Sequence, residues 1–506
     1  MAADSLRKRY FAKLIANSFG LAIALVTEAI IPRGLGPKAY GDFFFLSDFF
    51  NRIVGFLDMG TSTGFYTKLS QRQEDFGLVA FYVSFVGLVS FLVFIIVVCM
   101  HVTGIYATLL PGQYPFYIYL AAVWGILTWL VQVLNKIADA YGVTVSAETA
   151  RILQKGLGLV LILALFLTSY MNLASLFYYY FCILVFLALA FIWVMEHNGH
   201  SLRRSWRLSW SRIKAYTKEL YDYSHPLFIL SLVGLIVGFL ERWMLQMYGG
   251  SVEQGFYGLS YKIGVVCFLF TGAMTPLITR EFAIAFKDNN IHEMARLFRR
   301  YIPMLYSISA YFGCFISVQA SKVTYIMGGD KFHQATLAVM IMAFYPIHQT
   351  YGQLSGSVFM ATGQTGMYRN IAIAFSLIGL PLTYFLIAPG DKMGLDLGAS
   401  GLAIKMVALQ LVAVNVQLYL NARLLGLKFW RYVGHQVASM SAFLTLALLA
   451  GLAVDSVLRI SDIVIVNFVS SGIVYSILVA GLLMVFPTIF GLNGDDMRSL
   501  KRVVFH

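Results

Sequence analysis

Charged residues are scarce in this chain of 506 residues, and their scarcity excludes an ordinary soluble protein. Asp, Glu, Lys and Arg make up 12% of the sequence, against about a quarter of a typical soluble domain. Hydrophobic residues make up 59%, which is more apolar side chain than one soluble core can bury. The composition therefore predicts a polytopic membrane protein.

Cysteine is also rare, and its placement disfavours both disulfide and metal chemistry. The four cysteines lie inside apolar runs and none belongs to a C-x-x-C pair. A disulfide framework or a zinc site needs closely spaced cysteines in polar loops. We therefore expect no metal site and no cofactor. The four residues are Cys99, Cys182, Cys267 and Cys314.

Long uncharged stretches predict transmembrane helices. About 20 apolar residues are needed to cross a bilayer, and residues 76–135 and 156–195 contain no Asp, Glu, Lys or Arg. The alternating pattern of an outer-membrane barrel is missing. The first apolar segment carries Glu28 and lacks an A-x-A-like cleavage site, so we interpret it as a permanent helix. The fourteen predicted spans are 13–32, 41–64, 76–101, 115–138, 152–169, 173–195, 226–247, 256–279, 302–320, 335–361, 369–388, 399–419, 433–454 and 463–486.

Lys and Arg are distributed unevenly between the two sets of connecting segments. The segments on the side of the N-terminus hold 26 and the opposite segments hold 6. Because cytoplasmic loops are enriched in Lys and Arg, this asymmetry predicts that both termini are cytoplasmic. The basic segment 196–224 is expected to face anionic lipid, and nucleic-acid binding is its weaker alternative.

Two short turns recur along the chain and predict an internal repeat. Gly36 and Gly41 follow the first span, and Gly250 and Gly255 follow the seventh, 214 residues later. The segment 140–144 matches 361–365 at an offset of 221. Six helices per repeat give both halves the same orientation, so the predicted pseudo-two-fold axis is parallel to the membrane normal.

This repeat predicts two six-helix lobes around a central cleft, followed by two more helices. The predicted boundaries are 1–195 for the first lobe, 196–225 for a basic cytoplasmic linker, 226–419 for the second lobe, and 420–506 for the additional helices and a cytoplasmic tail.

Charged residues inside the predicted spans are the candidate functional residues. A charge at the bilayer centre costs at least ~2.5–3.5 kcal/mol, so it normally faces a cavity or a partner. Snorkelling to the headgroups is the alternative for those near a membrane face. The candidates are Glu28, Asp48, Arg52, Asp58, Glu241, Arg242, Lys262 and Lys405.

The spacing of these charges predicts specific contacts. Asp48 and Arg52 are four residues apart, which allows an ion pair on one helix face. At the offset of 214, Glu28 corresponds to Arg242 and Asp48 to Lys262. Opposite charges at equivalent positions predict ion pairs that close an extracytoplasmic gate, and buried cations favour an anionic, phosphate-bearing cargo.

A glycine spacing in the seventh span predicts close helix packing. Gly234 and Gly238 form a G-x-x-x-G motif, a spacing that lets helix backbones approach each other in membranes.

Several short motifs resemble those of the Wzx-type polysaccharide flippases of the multidrug/oligosaccharidyl-lipid/polysaccharide (MOP) exporter superfamily. They are residues 31–43 (IPRGLGPKAYGDF), 56–60 (FLDMG), 71–72 (QR) and 360–365 (MATGQT). The resemblance implies a MATE-like fold in a bacterial cytoplasmic (inner) membrane. It also implies transfer of an isoprenoid (undecaprenyl) pyrophosphate-linked oligosaccharide for O-antigen, capsule or exopolysaccharide synthesis.

The resemblance assigns roles to the candidate charges. Arg52, Lys262, Arg242 and Lys405 would bind the substrate, and Glu28, Asp48, Asp58 and Glu241 would gate the cleft or couple transport to H⁺ or Na⁺. Polysaccharide polymerase machinery is an expected partner. Relatives that flip the cell-wall lipid precursor use basic residues in the first helix, and this chain has none between Lys13 and Arg33.

Two alternatives remain open at this point. A cation-coupled multidrug antiporter on the same fold would need a mainly acidic cleft. A membrane-embedded polymerase or ligase would need a long outward loop rich in Arg and His, and no predicted loop has that character. We therefore expect a transporter and not an enzyme.

Overall fold

A computed structural model describes residues 6–200, 208–225, 228–458 and 462–492 of the chain. Every regular element within these ranges is helical, which confirms the predicted all-α fold. Three basic residues of the predicted linker (Arg203, Arg204 and Arg207) and three of the predicted tail (Arg498, Lys501 and Arg502) lie outside the described residues.

The chain divides into two compact units, Met1–Gly255 and Phe256–His506, with the boundary inside a long helix, α9. The predicted lobe boundary at 196–225 concerns the sequence repeat, and it stays a prediction. The helices up to this boundary are α1 (Leu6–Asp58), α2 (Thr61–Gln71), α3 (Phe76–Thr103), α4 (Tyr106–Leu109), α5 (Pro115–Ala140), α6 (Thr144–Leu167), α7 (Leu173–His197), α8 (Trp210–Ser224) and α9 (Phe228–Val266).

The second unit contains the end of α9 and a further series of helices. Short 3-10 helices at Asp330–Ala335, Gly390–Lys392 and Pro487–Phe490 connect or extend them. The α-helices are α10 (Phe268–Lys287), α11 (Ile291–Val318), α12 (Ala320–Gly328), α13 (Thr336–Met342), α14 (Tyr345–Ala361), α15 (Thr365–Ile387), α16 (Gly398–Leu424), α17 (Phe429–Leu452) and α18 (Val464–Val485).

Nine helices of the described chain are long and apolar enough to cross a membrane: α3, α5, α6, α7, α11, α15, α16, α17 and α18. The other five predicted spans lie in α1, in α9 with α10, and in α13 with α14. These helices are bent, interrupted or charged. Four of these five spans contain seven of the eight candidate charges, so the least regular helices also carry the candidate functional residues.

The bends in α1 and α9 have the same backbone geometry. Gly36 has φ 74° and ψ 173° inside α1, and Gly250 has φ 71° and ψ −172° inside α9. A positive φ of this kind favours glycine. The two bends lie 214 residues apart, as the sequence repeat predicts.

The second repeated turn is also matched in detail. α5 ends at Ala140 and α6 begins at Thr144, while α14 ends at Ala361 and α15 begins at Thr365. Gly142 and Gly363 adopt φ 76° and 72° in the two turns. Because both helix ends and both glycines keep the offset of 221, the two halves repeat one helix–turn–helix design.

In the first unit, α2 and α8 pack into one hydrophobic core. Phe65 and Tyr82 stack with ring centroids 4.3 Å apart inside this core. Glu219 of α8 accepts from Arg72 at 2.7 Å and lies 2.9 Å from Lys68. Ion pairs that bridge two elements in this way fix α8 against the end of α2.

Tyr216 of α8 makes a second attachment, to the helix α3. Its hydroxyl donates to Asp75, the N-cap residue of α3, at 2.7 Å. Burial, together with this hydrogen bond, raises the pKa of Tyr216 to about 12. The hydroxyl therefore stays a donor at any physiological pH.

In the second unit, α11, α14 and α17 contribute to an apolar core. Tyr306, Tyr351 and Phe443 are fully buried there. Tyr306 and Tyr351 meet edge to face, with centroids 4.8 Å apart. This core also holds the short helix Pro487–Phe490, because Phe490 packs against Phe443.

Candidate functional site

One carboxylate and two arginines form a charged cluster inside the first unit. Arg52 Nε donates to Asp48 Oδ2 at 2.6 Å, so the local pair expected from the sequence is present. Arg242 Nε of α9 lies 3.6 Å from the same oxygen. Asp48 therefore bridges two guanidinium groups that come from positions 190 residues apart in the sequence.

Arg242 is the most deeply buried member of this cluster. Its side chain is 7% exposed, against 22% for Asp48 and 30% for Arg52. Its guanidinium carbon lies 4.9 Å from the centre of the Phe44 ring, a cation–π distance. Because a buried cation needs compensating contacts, the carboxylate and the aromatic face together make this position tolerable.

Gly238 supplies the space for the Arg52 guanidinium. A Cβ at this position would overlap Nη1 of Arg52, whereas a Cβ at Gly234 would meet nothing within 4 Å. The G-x-x-x-G motif was predicted to serve helix–helix packing. Its second glycine instead accommodates a charged side chain, and its first glycine makes no close contact.

A second polar cluster lies beside the two bends. Asp42 Oδ1 accepts from Gln113 Nε2 at 2.7 Å and from the hydroxyl of Ser251. Gln246 Nε2 donates to Ser251 Oγ at 3.0 Å and to the carbonyl of Pro111 at 3.1 Å. Asp42 thus connects α1 to the residue that follows the bend of α9.

The backbones of the two bends contact each other reciprocally within the first unit. A Cβ at Gly41 would overlap the carbonyl oxygen of Ser251, and a Cβ at Gly255 would overlap that of Pro37. Pro37 and Ser251 are equivalent at the offset of 214, and so are Gly41 and Gly255. We call this symmetric contact the glycine clasp.

Asp58 lies at a joint between α1 and α2. Its carboxylate accepts from Ser62 Oγ at 2.7 Å and from Tyr82 at 3.2 Å, and Lys136 donates to Ser62 Oγ. Met59 and Gly60, the two residues that follow Asp58, have positive φ values. These bonds give Asp58 a structural place at the joint, and its predicted coupling role stays a prediction.

The other predicted residues are distributed over both units. Glu28 lies close enough to Tyr179 and Tyr180 of α7 to interact with them electrostatically. Glu241 is partly buried beside Arg242 in α9. These two carboxylates belong to the first unit.

The two predicted lysines belong to the second unit. Lys262 is partly buried in the end of α9. Lys405 of α16 is 6% exposed, and its chain packs against Gly379 of α15, where a Cβ would lie 2.9 Å from Lys405 Cε. The cluster around Asp48 belongs to the first unit. The predicted role of both lysines in binding the same substrate therefore stays a prediction.

Sequence reasoning overlooked several polar residues of the first unit. For Asp42 the sequence does hold a signal, because this carboxylate lies next to a repeated glycine turn. Lys136, which donates to Ser62, and Lys155 of α6, which packs against Gly20 of α1, have no comparable signal.

The chemistry available at the cluster is anion exchange. Taken by themselves, the two guanidinium groups and the one carboxylate carry a net charge of +1. Guanidinium groups bind carboxylate and phosphate oxygens through the same planar donor fork. An incoming phosphate can therefore replace Asp48 as the partner of either arginine. Across the described ranges, no group of three or more His, Cys, Asp and Glu is placed to hold a metal ion.

The sequence matches a known protein family. The profile of the family described as "Polysaccharide biosynthesis protein" matches residues 6–280, which is more than half of the chain and includes α1 to α9. The chain belongs to this family. No curated protein matches it significantly in overall sequence.

Solved structures share the fold of this family member at low sequence identity. An inward-facing multidrug resistance MATE family transporter of the MOP superfamily is 17% identical, covers 80% of this chain and 94% of its own, and has a TM-score of 0.64. The lipid II flippase MurJ in an inward closed conformation is 11% identical, with coverages of 93% and 98% and a TM-score of 0.67. At these identities the likeness establishes the fold.

A third similar structure is described by the polarity of its own binding pocket. It is a MOP superfamily transporter from Pyrococcus furiosus, 17% identical, with coverages of 81% and 94% and a TM-score of 0.53. That protein is described as having a pocket of reverse polarity, which suggests a different function. The predicted MATE-like, all-α membrane fold is thus confirmed, and the chain is similar in fold to members of the MOP superfamily.

Proposed function

We propose that this protein is a flippase that moves an isoprenoid (undecaprenyl) pyrophosphate-linked oligosaccharide across the bacterial cytoplasmic membrane. The observation that carries the proposal is the pair of arginines held on one carboxylate, Arg52 and Arg242 on Asp48. Membership of the polysaccharide biosynthesis family supports the cargo class.

Asp48 acts in this proposal as an internal substitute for the cargo phosphate. In the empty protein it neutralises half of the charge of Arg52 and Arg242, which keeps both guanidinium groups ordered. The pyrophosphate displaces the carboxylate and takes over its hydrogen bonds. Because one ion pair replaces another, the cargo binds without leaving buried arginines uncompensated.

The glycine clasp acts as the gate of the same site. Asp42, Ser251 and the reciprocal backbone contacts close one end of the first unit where α1 and α9 bend. Release of cargo to the outer leaflet requires these contacts to separate. The predicted cargo-binding roles of Lys262 and Lys405, which belong to the second unit, stay predictions.

The direction of transport needs a source outside the binding site. Cargo that binds two states equally does not shift their equilibrium. Coupling to H⁺ or Na⁺ through Glu28, Asp58 or Glu241, or removal of the product by a polysaccharide polymerase, supplies this source. The basic-residue asymmetry supports cytoplasmic termini. Membership of the polysaccharide biosynthesis family supports a role in synthesis of a surface polysaccharide such as O-antigen, capsule or exopolysaccharide.

A cation-coupled multidrug antiporter is the second candidate function. Its support is the shared fold with the multidrug resistance MATE transporter. Such a protein would use Asp48 to attract a cationic drug, whereas an anion flippase uses the arginines. The sign of the cargo therefore separates the two candidates.

The experiment measures binding of farnesyl pyrophosphate, a short isoprenoid pyrophosphate, and of ethidium, a lipophilic cation, to purified protein. Arg52→Ala and Arg242→Ala are expected to weaken farnesyl pyrophosphate binding at least tenfold, equivalent to about 1.4 kcal/mol. Arg52→Lys keeps the charge but loses the donor fork, so it recovers only part of the affinity. Asp48→Asn removes the competing carboxylate and tightens binding.

The matched control is Arg296→Ala, which removes an exposed arginine of α11 that is paired with Glu293. It should bind both ligands as the wild type does. The antiporter is favoured instead if Asp48→Asn abolishes ethidium binding while the arginine variants retain it. In cells, intact surface-polymer assembly in the double variant Arg52→Ala/Lys262→Ala would rule out the proposed cargo site.

A further inference from the structure

A small cavity in the second unit lies between three elements. α11, α17 and the segment around the short helix Pro487–Phe490 enclose about 100 Å³. Arg299, Arg431, Tyr432, His435 and Thr488 contribute its polar lining. None of these residues belongs to the proposed cargo site.

The walls of this cavity are held in place by specific contacts. The carbonyl of Ile489 accepts from Ser307 Oγ of α11 and lies 2.7 Å from His435 Nε2 of α17. Gly491 fits against α11, where a Cβ would come within 2.9 Å of the backbone nitrogen of Met304. The segment 487–491 therefore caps the cavity in a defined position.

The charge of the lining is one-sided. Arg299 and Arg431 come from different helices and both act electrostatically on Tyr432. The described part of the lining contains no Asp or Glu. Two exposed arginines that line one cavity, without a carboxylate in its described part, can supply donor forks for a phosphate group.

Two residues of the lining carry buried polar atoms that lack a hydrogen-bond partner in the described structure. Tyr432 is 4% exposed, and its hydroxyl has no hydrogen-bond partner in the described structure. His435 Nδ1 is buried and equally lacks one. Buried polar groups are normally hydrogen-bonded. His435 Nε2 donates to the Ile489 carbonyl, so Nδ1 of the neutral ring is an acceptor, and the Tyr432 hydroxyl is the group of the two that can donate to a ligand oxygen.

The volume limits the ligand to one small group. About 100 Å³ is roughly the share of three water molecules in liquid water. A single tetrahedral phosphate fits this space, whereas a sugar or a nucleotide does not.

We propose that this cavity is a phosphate-binding site, in which Arg299 and Arg431 hold the anion and Tyr432 donates to it. The basic-residue count places this end of α11 and α17 on the predicted cytoplasmic side. There the phosphate belongs either to an anionic lipid headgroup or to a free anion. Binding joins α11, α17 and the segment 487–491, so an occupied site stabilises the second unit.

The test uses the full-length protein, purified and delipidated in detergent. Inorganic phosphate is titrated against chloride at equal ionic strength, and phosphatidylglycerol is titrated separately. The readouts are the ligand-induced rise in the unfolding temperature and the number of lipids retained in native mass spectrometry. The double variant Arg299→Ala/Arg431→Ala should bind at least tenfold more weakly, and Tyr432→Phe should bind more weakly than the wild type.

Arg296→Ala is again the control, because it removes a charge from the same helix without touching the cavity. A response to phosphatidylglycerol alone assigns the site to a lipid headgroup, and a response to inorganic phosphate assigns it to a free anion. Equal ligand-induced shifts in the wild type and the double variant would overturn the proposal. Farnesyl pyrophosphate binding by the same double variant separates this site from the cargo site.

Discussion

Arg52 keeps its position because α9 has no side chain at Gly238. The guanidinium lies over the Cα of that glycine and reaches Asp48 at 2.6 Å. A single methyl group in this space would force the guanidinium to move. The ion pair with Asp48 and the proposed phosphate site would be disturbed together.

Gly238→Ala should therefore reduce farnesyl pyrophosphate binding and transport at least tenfold. Gly234→Ala is the matched control, four residues earlier in the same helix and in open space. Alanine is favoured over glycine in a helix by roughly 0.5–1 kcal/mol, so this control should leave function unchanged and raise the unfolding temperature slightly. Binding assays and thermal unfolding of the purified variants measure both effects.

Equal behaviour of the two alanine variants would contradict this account of Arg52. If both retained binding, the guanidinium would have another place to go. If both lost it, the G-x-x-x-G motif would serve helix packing, as the sequence first suggested.

The sequence predicts some of these residue contacts and misses others. Asp48 and Arg52 could be paired from their spacing, because four residues make one helical turn. The contact of Arg242 with Asp48 depends on how the bent helices α1 and α9 meet, which local spacing does not contain. For the same reason, Asp42 and its partner Ser251 could not be found from the sequence.

At the level of whole elements, the bends in α1 and α9 are the central feature. Repeated glycines predicted two similar turns, and the structure gives them matching φ and ψ values at Gly36 and Gly250. The sequence indicated loops between separate helices. In the structure each pair of helices is separated by one non-helical glycine, Gly36 or Gly250, because a positive φ redirects the chain without a longer loop.

The reciprocal clasp predicts equal effects at its two equivalent glycines. Gly41→Ala and Gly255→Ala each place a methyl group on a backbone carbonyl, which cannot rotate away as a side chain can. Both variants should lower the unfolding temperature and transport to a similar extent. Gly55→Ala, also in α1, is the control because nothing lies within 4 Å of its Cβ position.

Thermal unfolding and transport of the three variants in the same lipid provide the comparison. A tolerated alanine at one clasp position, with loss at the other, would show that the contact does not work symmetrically. The pseudo-two-fold relation between the bends would then be a relic of the repeat without a functional role.

At the scale of the whole molecule, composition and charge asymmetry sufficed to predict a helical membrane protein with a repeated plan. Apolar stretches locate the nine regular membrane helices well, since length and hydropathy are properties of each stretch alone. The position of the boundary between the compact units was not predicted. It lies at Gly255, because Gly238, Arg242 and Ser251 make long-range contacts with α1.

Alternating access predicts that the first unit must open where Asp42 meets Ser251. In a variant without its four native cysteines, Asp42→Cys/Ser251→Cys should form a disulfide on mild oxidation, because the two side chains are in hydrogen-bond contact. Oxidation should stop transport of lipid-linked oligosaccharide in reconstituted vesicles, and reduction should restore it.

The single variants Asp42→Cys and Ser251→Cys, treated with the same oxidant, control for damage elsewhere. Continued transport by the fully oxidised pair would mean that the clasp stays closed during the cycle, and the path of the cargo would then have to avoid this end of the first unit.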